Sequence, residues 1–315
     1  MILLKLAELL KLDFHGNPNC EINGVCSLKK PLSGKILYIS SHKLISNEIY
    51  SADAFLIDKK LQKYFPNQNL LLSSNPQLSF TELTKVFLCP KSDLRFDKDK
   101  QAFIGKNVTF GLNIEIGKGT VIEDNVIIGN NVKISHNVTI CSRVIIGDNV
   151  IIGPGTVIGS EGFGNVFTGK NWEHITHLGS VEIMNNSCIG ANCTIDRGTI
   201  DNTVISSGVI IDNQVHIAHN VFIGSNTAIA AKVGIAGSCN IGKRNMIGGM
   251  VGIVDHINTA DDVTVSATST VNTNLNEPGV YTGIMPISKH FRWKRIALWI
   301  TKLDKITKFL KLKKI

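Results

Sequence analysis

The 315-residue sequence lacks any uncharged apolar run long enough to cross a bilayer, and only 6% of its residues are aromatic. A spanning helix needs roughly 20 consecutive apolar residues, so a chain built from membrane-crossing helices is excluded. The opening "MILLKLAELLKL" is apolar, yet Lys5, Glu8 and Lys11 interrupt it. That pattern opposes the core of a secretory leader and predicts a short amphipathic helix. The seven cysteines include no CxxC pair and read as small buried residues of a reducing cytoplasm. Acidic side chains are almost missing from the C-terminal end. Ser288 to Ile315 holds ten Lys or Arg against Asp304 alone, a net +9 that leaves the rest of the chain at −1. The main body is thus near neutral, no nucleic-acid partner is expected, and any acidic partner meets the tail.

What is present is a repeat. From Ile104 an apolar residue returns every six positions, at Phe110, Ile116, Ile122, Ile128, Ile134, Ile140, Ile146, Ile152 and Ile158. The register resumes at Ile183, Ile189 and Ile195 and slips by four residues around Thr199 to Val204. It then runs unbroken from Ile205 to Ile253. An amphipathic helix would repeat its stripe every three or four residues. A period of six fits a short strand and a turn, coiled so that strands stack into parallel sheets around an isoleucine interior. Three such hexads, 18 residues, make one coil of a parallel β-helix of triangular section; its left-handed sense is what resemblance to known hexapeptide-repeat proteins implies, since parallel crossovers ordinarily favour the right. The expected fold is therefore mainly β. An N-terminal α/β domain (1–100) precedes the β-helix (101–287), and a basic helical tail (288–315) follows it. The segment Gly159 to Ser180 interrupts the repeat with Phe163, Phe167 and Trp172, and structureless insertions of that length are usually functional or packed on a neighbour.

The repeat also places side chains in space. Residues 18 apart stack on successive coils, about 4.8 Å apart by the spacing of sheet strands. His219, in "IDNQVHIAHNV", therefore lies beside Gly237 and then Asp255, while His216 lies beside Gly234 and Gly252. An imidazole at an outer turn, next to glycines with room and free N–H groups, suits acyl transfer. The base takes the nucleophile's proton, and an N–H stabilises the oxyanion. A lone histidine in a turn is usually only solvated; His219 stands out through Gly237 and its clustering with His216 and His256. His174 and His177, in the long insertion, read as packing or surface residues unless that insertion covers a neighbouring site.

The motifs "IDNQVHIAHNV", "GFG" followed by Trp172, "CTIDRGT", "MIGG" and "EPGVYTGIMP" together resemble the UDP-3-O-acylglucosamine N-acyltransferases of lipid A biosynthesis, over nearly the whole chain. That resemblance implies a homotrimer with sites between subunits, in the cytoplasm of a Gram-negative bacterium. The implied reaction moves a 3-hydroxyacyl group to the 2-amine of UDP-3-O-(3-hydroxyacyl)-glucosamine. The group arrives on the phosphopantetheine of acyl carrier protein, with no permanently bound cofactor and no metal. His219 maps to the family's base and Gly237 to its oxyanion donor; Asp212, Gln214, His216 and His256 are expected to contact substrate. The family grips uracil with a pattern like F-x-x-N-x-x-Y, where this chain has Tyr38, Ser41 and Leu44. One aromatic remains, a hydroxyl replaces the amide, and the second aromatic is lost.

Rival readings share the repeat. A related O-acyltransferase lacks the N-terminal domain of about a hundred residues that the resemblance implies here, and an acetyl-CoA-dependent sugar acetyltransferase needs neither that domain nor a +9 helix. A zinc hydratase needs three converging histidines, which Gly234 and Gly237 do not supply. In the tail, Arg292, Lys294 and Arg295 are expected to dock acyl carrier protein. The competing role is a scaffold whose amphipathic helix rests on the inner-membrane surface.

Overall fold

A computed structural model describes residues 1–45, 47–87, 102–283 and 287–303. The chain divides into two compact units, Met1–Leu94 and Arg95–Ile315.

In the first unit, alternating apolar residues let one sheet bury both faces. Strands β1 (Asp13–His15), β2 (Val25–Cys26), β3 (Ile36–Tyr38), β4 (Ala54–Asp58) and β5 (Asn69–Ser73) pair in the order β1-β5-β4-β3-β2, parallel except at β1. Ile36, Leu56 and Leu71 point to one side, where helices α1 (Leu3–Leu10) and α2 (Pro76–Val86) bring Leu3, Leu6 and Leu83. Leu37, Phe55 and Leu70 point to the other and pack with Ile39, Ile57 and Phe65. Lys5 and Glu8 lie on the solvent side of α1, as the amphipathic opening predicted.

The second unit is a parallel β-helix of two- to four-residue strands whose three faces are sheets of nine, nine and seven strands among the described residues. The hexad isoleucines from Ile116 to Ile253 all point inward and are buried, and Val126, Val132, Val138 and Val150 fill the corners between them. Cys193 and Cys239 also lie inside, where burial pushes their thiols up; the described cysteines are free of disulfides.

Corners explain the recurring asparagines. Each turn has one residue at positive φ, about +54° to +68° in the non-glycine cases. Asn tolerates that region better than any other side chain with a Cβ. Stacked asparagines also bond to one another: Asn113 donates to Asn131 at 3.0 Å and Asn131 to Asn149 at 3.1 Å. Replacing Asn131 by Val should cost about 1–3 kcal/mol, because a β-branched residue would be held in that strained region, whereas Asn131→Gly should lose only the ladder bonds. Urea unfolding of the two variants checks this, and equal losses would contradict the strain argument.

Two insertions disturb the coil without breaking it. Ile146 pairs with Ile183 and Ile183 with Ile205, so the chain travels 37 and then 22 residues, instead of 18, to come back to the same face. The longer detour contains a hairpin, Asn165–Phe167 against Trp172–His174, closed by Phe167 on Trp172 at 5.3 Å. The shorter one bulges out at 198–202. The helix α3 (His290–Ile300) follows the coils.

Candidate functional site

The stacking arithmetic holds around His219. His216–Ile217, Gly234–Ile235, Gly252–Ile253 and Thr270–Val271 pair in parallel, which puts His216, Gly234, Gly252 and Thr270 in line on the outer surface of one face. At the corner beyond, Ser238 N–H donates to His219 O and His256 N–H to Gly237 O, both at 3.0 Å. A Cβ on Gly237 would meet His219 Cε1 at 2.6 Å and Nε2 at 2.7 Å. Gly237 is not at positive φ, so glycine is required here for room rather than for conformation. Gly234 and Gly252 instead face open space: no atom lies within 4 Å of a side chain built there. The result is a groove of about 680 Å³ whose floor is these glycines and whose walls include Phe163, His216, His219, Asp255 and His256.

At several corners the N–H two residues after the anchor is capped by the side chain one coil on: Lys106 by Asp124, Leu112 by Asn130, Lys118 by His136, Lys243 by Asp261. Gly237 occupies that position and Asp255 would be its cap, yet no hydrogen bond joins them among the described residues. Gly237 N–H therefore has no acceptor among the described residues and lies beside an imidazole, free to meet an oxygen of a bound molecule.

The tautomer of His219 follows from Asn220. Thr199 N–H and Oγ1–H both donate to Asn220 Oδ1, at 3.0 and 2.9 Å, while Asn220 Nδ2 donates to Asp201 O at 3.1 Å. Backbone groups of fixed polarity therefore set the amide, and its Oδ1 faces His219 Nδ1 at 3.1 Å. Nδ1 must carry the proton, which leaves Nε2 with a free lone pair next to Gly237. The four-residue slip supplies both Thr199 and Asp201; it is the device that orients the imidazole.

Behind the groove, Asp196 is buried; Ser160 Oγ donates to it at 2.9 Å, and His216 Nε2 lies 3.7 Å from its carboxylate. Burial pushes its carboxyl up, against the Ser160 bond and the nearby imidazoles, which pull it down. Thr194 Oγ1 holds His216 Nδ1 at 2.7 Å. The "GFG" glycines have a steric role. A Cβ on Gly162 would meet His219 Cβ at 3.0 Å, and one on Gly164 would meet His177 Cε1 at 2.6 Å. They let the insertion close on the site while Phe163 projects into the groove. His177 is only 2% exposed and stands edge-on to His219 with ring centroids 5.5 Å apart. His177 thus packs, and His174 lies at the surface, as expected of the two; the insertion that carries them lies against the groove of its own chain.

Of the residues expected from sequence, His216, His219, Gly237 and His256 meet at this groove. Asp212 and Gln214 do not; they lie on the turn between Ile210–Ile211 and His216–Ile217, at the preceding corner, because six residues carry the chain across one whole face. Tyr38 and Ser41 belong to the first unit. Tyr38 stacks on Phe80 of α2 at 5.0 Å, beside a cleft of about 380 Å³ that Cys26, Ser27 and Leu28 also line. Ser41 Oγ accepts from Lys43 N–H at 3.4 Å and is not part of that lining. Arg292, Lys294 and Arg295 are exposed on α3, as are Trp293 and Ile300; residues 304–315 of the expected helical tail lie outside the described residues. Sequence reading missed Asp196, Thr194, Asn220 and Phe80. The first two lie across the slip, where partners are 22 rather than 18 apart.

Comparison with known proteins now has a geometry to attach to. A profile described as the bacterial transferase hexapeptide matches residues 125–160, and the hexapeptide repeat of succinyl-transferase matches 101–136. Hexapeptide-repeat profiles thus match the coils between residues 101 and 160. Curated relatives named UDP-3-O-acylglucosamine N-acyltransferase include those of Bordetella avium, 41% identical, and Bordetella pertussis, 40% identical. Each alignment runs over 149 residues, 46% of this chain and 41% of the relative, so the matched stretch is under half of either protein. Among solved structures, a UDP-N-acetylglucosamine acyltransferase from Bacteroides fragilis is 27% identical with a TM-score of 0.52, over 60% of this chain and 72% of that one. One from Francisella novicida, 24% identical with a TM-score of 0.54 over 61% and 70%, shows the same fold. Among the described residues, no helix is long and apolar enough to cross a membrane.

If Asn220 sets the tautomer, imidazole ¹⁵N shifts of His219 should report a single Nδ1–H form. In Asn220→Gly, which keeps the positive φ, they should report a mixture. A mixture already present in the unaltered protein would contradict the assignment.

Proposed function

We propose that the chain is an N-acyltransferase that moves a 3-hydroxyacyl group from acyl carrier protein to the 2-amine of UDP-3-O-acyl-glucosamine. The observation that carries this reading is His219 Nε2, bare and lying against Gly237, whose N–H lacks an acceptor. The names of the Bordetella relatives support the substrate class.

Each step then has an agent. The neutral amine attacks the thioester carbonyl, and His219 Nε2 takes the proton that the nitrogen sheds as the C–N bond forms. Negative charge gathers on the carbonyl oxygen, where Gly237 N–H meets it without reorganising. Collapse breaks the C–S bond, and the proton held by His219 accompanies the departing thiol. The groove over Gly234 and Gly252 takes the acyl chain, since apolar matter fits where no side chain projects. Its open side is suited to closure by another copy of the chain in a trimer. His216, steadied by Thr194 and Asp196, and His256 contact the sugar nucleotide, while Asp212 and Gln214 would reach substrate only from a neighbouring copy.

Tyr38, backed by Phe80, offers a ring to uracil in the first unit. The exposed cations of α3 would meet the acidic carrier, by pairs that steer encounter more than they tighten it.

Mass spectrometry of products decides the reaction. Purified protein given 3-hydroxyacyl carrier protein should acylate the amine of UDP-3-O-acyl-glucosamine and leave UDP-N-acetylglucosamine unchanged. Acylation of the latter would instead favour the O-acyltransferase reading. A positioned base is worth about 10²–10⁴-fold, so His219→Ala should lower kcat by that factor, and near-normal kcat would remove His219 from the chemistry. A crossed measurement separates the two binding regions. Tyr38→Ala should raise KM for the sugar nucleotide alone, and Glu at Arg292, Lys294 and Arg295 together should raise KM for the carrier alone. Equal effects on both substrates would contradict the division.

A further inference from the structure

The insertion that covers the groove carries a second constellation, distinct from the acyl-transfer residues. Glu161, His174 and His177 each offer a ligand atom, and the three atoms lie within 4.8 Å of one another. We propose that they bind one divalent cation of the zinc class, which staples the hairpin at 165–174 onto the wall of the groove. The sequence reading expected no metal because it looked for convergence around His216 and His219; the cluster lies on the other side of His219.

His177 carries the argument. Its Nδ1–H donates to Ile175 O at 2.8 Å, so Nε2 is left as a bare acceptor. That Nε2 is fully enclosed and has no hydrogen-bond partner. A buried polar atom without a partner is destabilising by an amount comparable to a lost hydrogen bond, and the fold keeps it pointed at the region shared with Glu161 and His174. The bond from Nδ1–H to a backbone carbonyl is also the support that orients metal-binding imidazoles.

The donor set agrees with that cation. Two imidazole nitrogens and one carboxylate oxygen, with a water as fourth ligand, form a familiar zinc environment. As the protein stands, His174 Nε2 bonds to Glu161 Oε2 at 2.5 Å, closer than the roughly 3.3 Å between ligands of a tetrahedral zinc site. The two groups would part slightly around the ion. His174 would then carry its proton on Nδ1, where Asn165 Oδ1 waits at 3.4 Å, or release it to solvent. His177 touches both the proposed ion and the His219 ring, so filling the site would fix the groove's wall.

Binding is read without turnover, so the outcome is independent of the acyl-transfer proposal. The full chain, stripped by a chelator, should take up one Zn²⁺ per chain in equilibrium titration and retain it through gel filtration. Glu161→Gln and His174→Gln, both at exposed positions, should each weaken that uptake by about tenfold or more, while His15→Gln, on β1, should not. Zinc should also slow tryptic cleavage after Lys170, at the hairpin's tip, in the unaltered protein but not in Glu161→Gln. Substoichiometric uptake, equal affinity in all variants, or cleavage indifferent to zinc would each overturn the proposal and leave the Nε2 of His177 to an ordered water.

Discussion

Every coil of the β-helix must return its chain to the same three faces, with each residue stacked on its equivalent one strand spacing away. That constraint dominates the molecule. It buries one isoleucine per hexad and places a residue at positive φ at the corners. His219 can exist because residue 237 has no side chain. Gly237 N–H, beside that imidazole, has no acceptor among the described residues.

The two insertions turn a uniform prism into one with a single distinguished corner. The slip at 198–202 sends Thr199 and Asp201 to Asn220, whose amide then dictates which nitrogen of His219 carries hydrogen. The longer insertion brings Gly162, Phe163 and His177 over the same imidazole. Both devices sit in the coils just before His219, and the coils beyond it carry glycines on the groove's floor. The repeat supplies the stacked frame; its interruptions supply the contacts that single out His219.

The first unit follows a different logic, a doubly covered sheet with ordinary α/β alternation. Its aromatic pair, Tyr38 on Phe80, joins a strand to a helix far along the chain. Leu44 is exposed, and the ring that accompanies Tyr38 comes from α2.

Sequence by itself determined the coil and the central contact of the site. Nine isoleucines at a spacing of six, from Ile205 to Ile253, leave no freedom in register, so His219 beside Gly237 was legible by counting. Counting fails across an insertion, because the number of residues that leave the coil and rejoin it is not written in the period. Only the tertiary structure decided that Thr194 rather than residue 198 meets His216, that Asp196 lies buried behind it, and that His177 turns inward to His219. It also decided the tautomer, since the polarity of Asn220 depends on backbone groups that the slip folds back against it. Periodic contacts are local arithmetic; the contacts of the insertions arise from packing, and packing has no period.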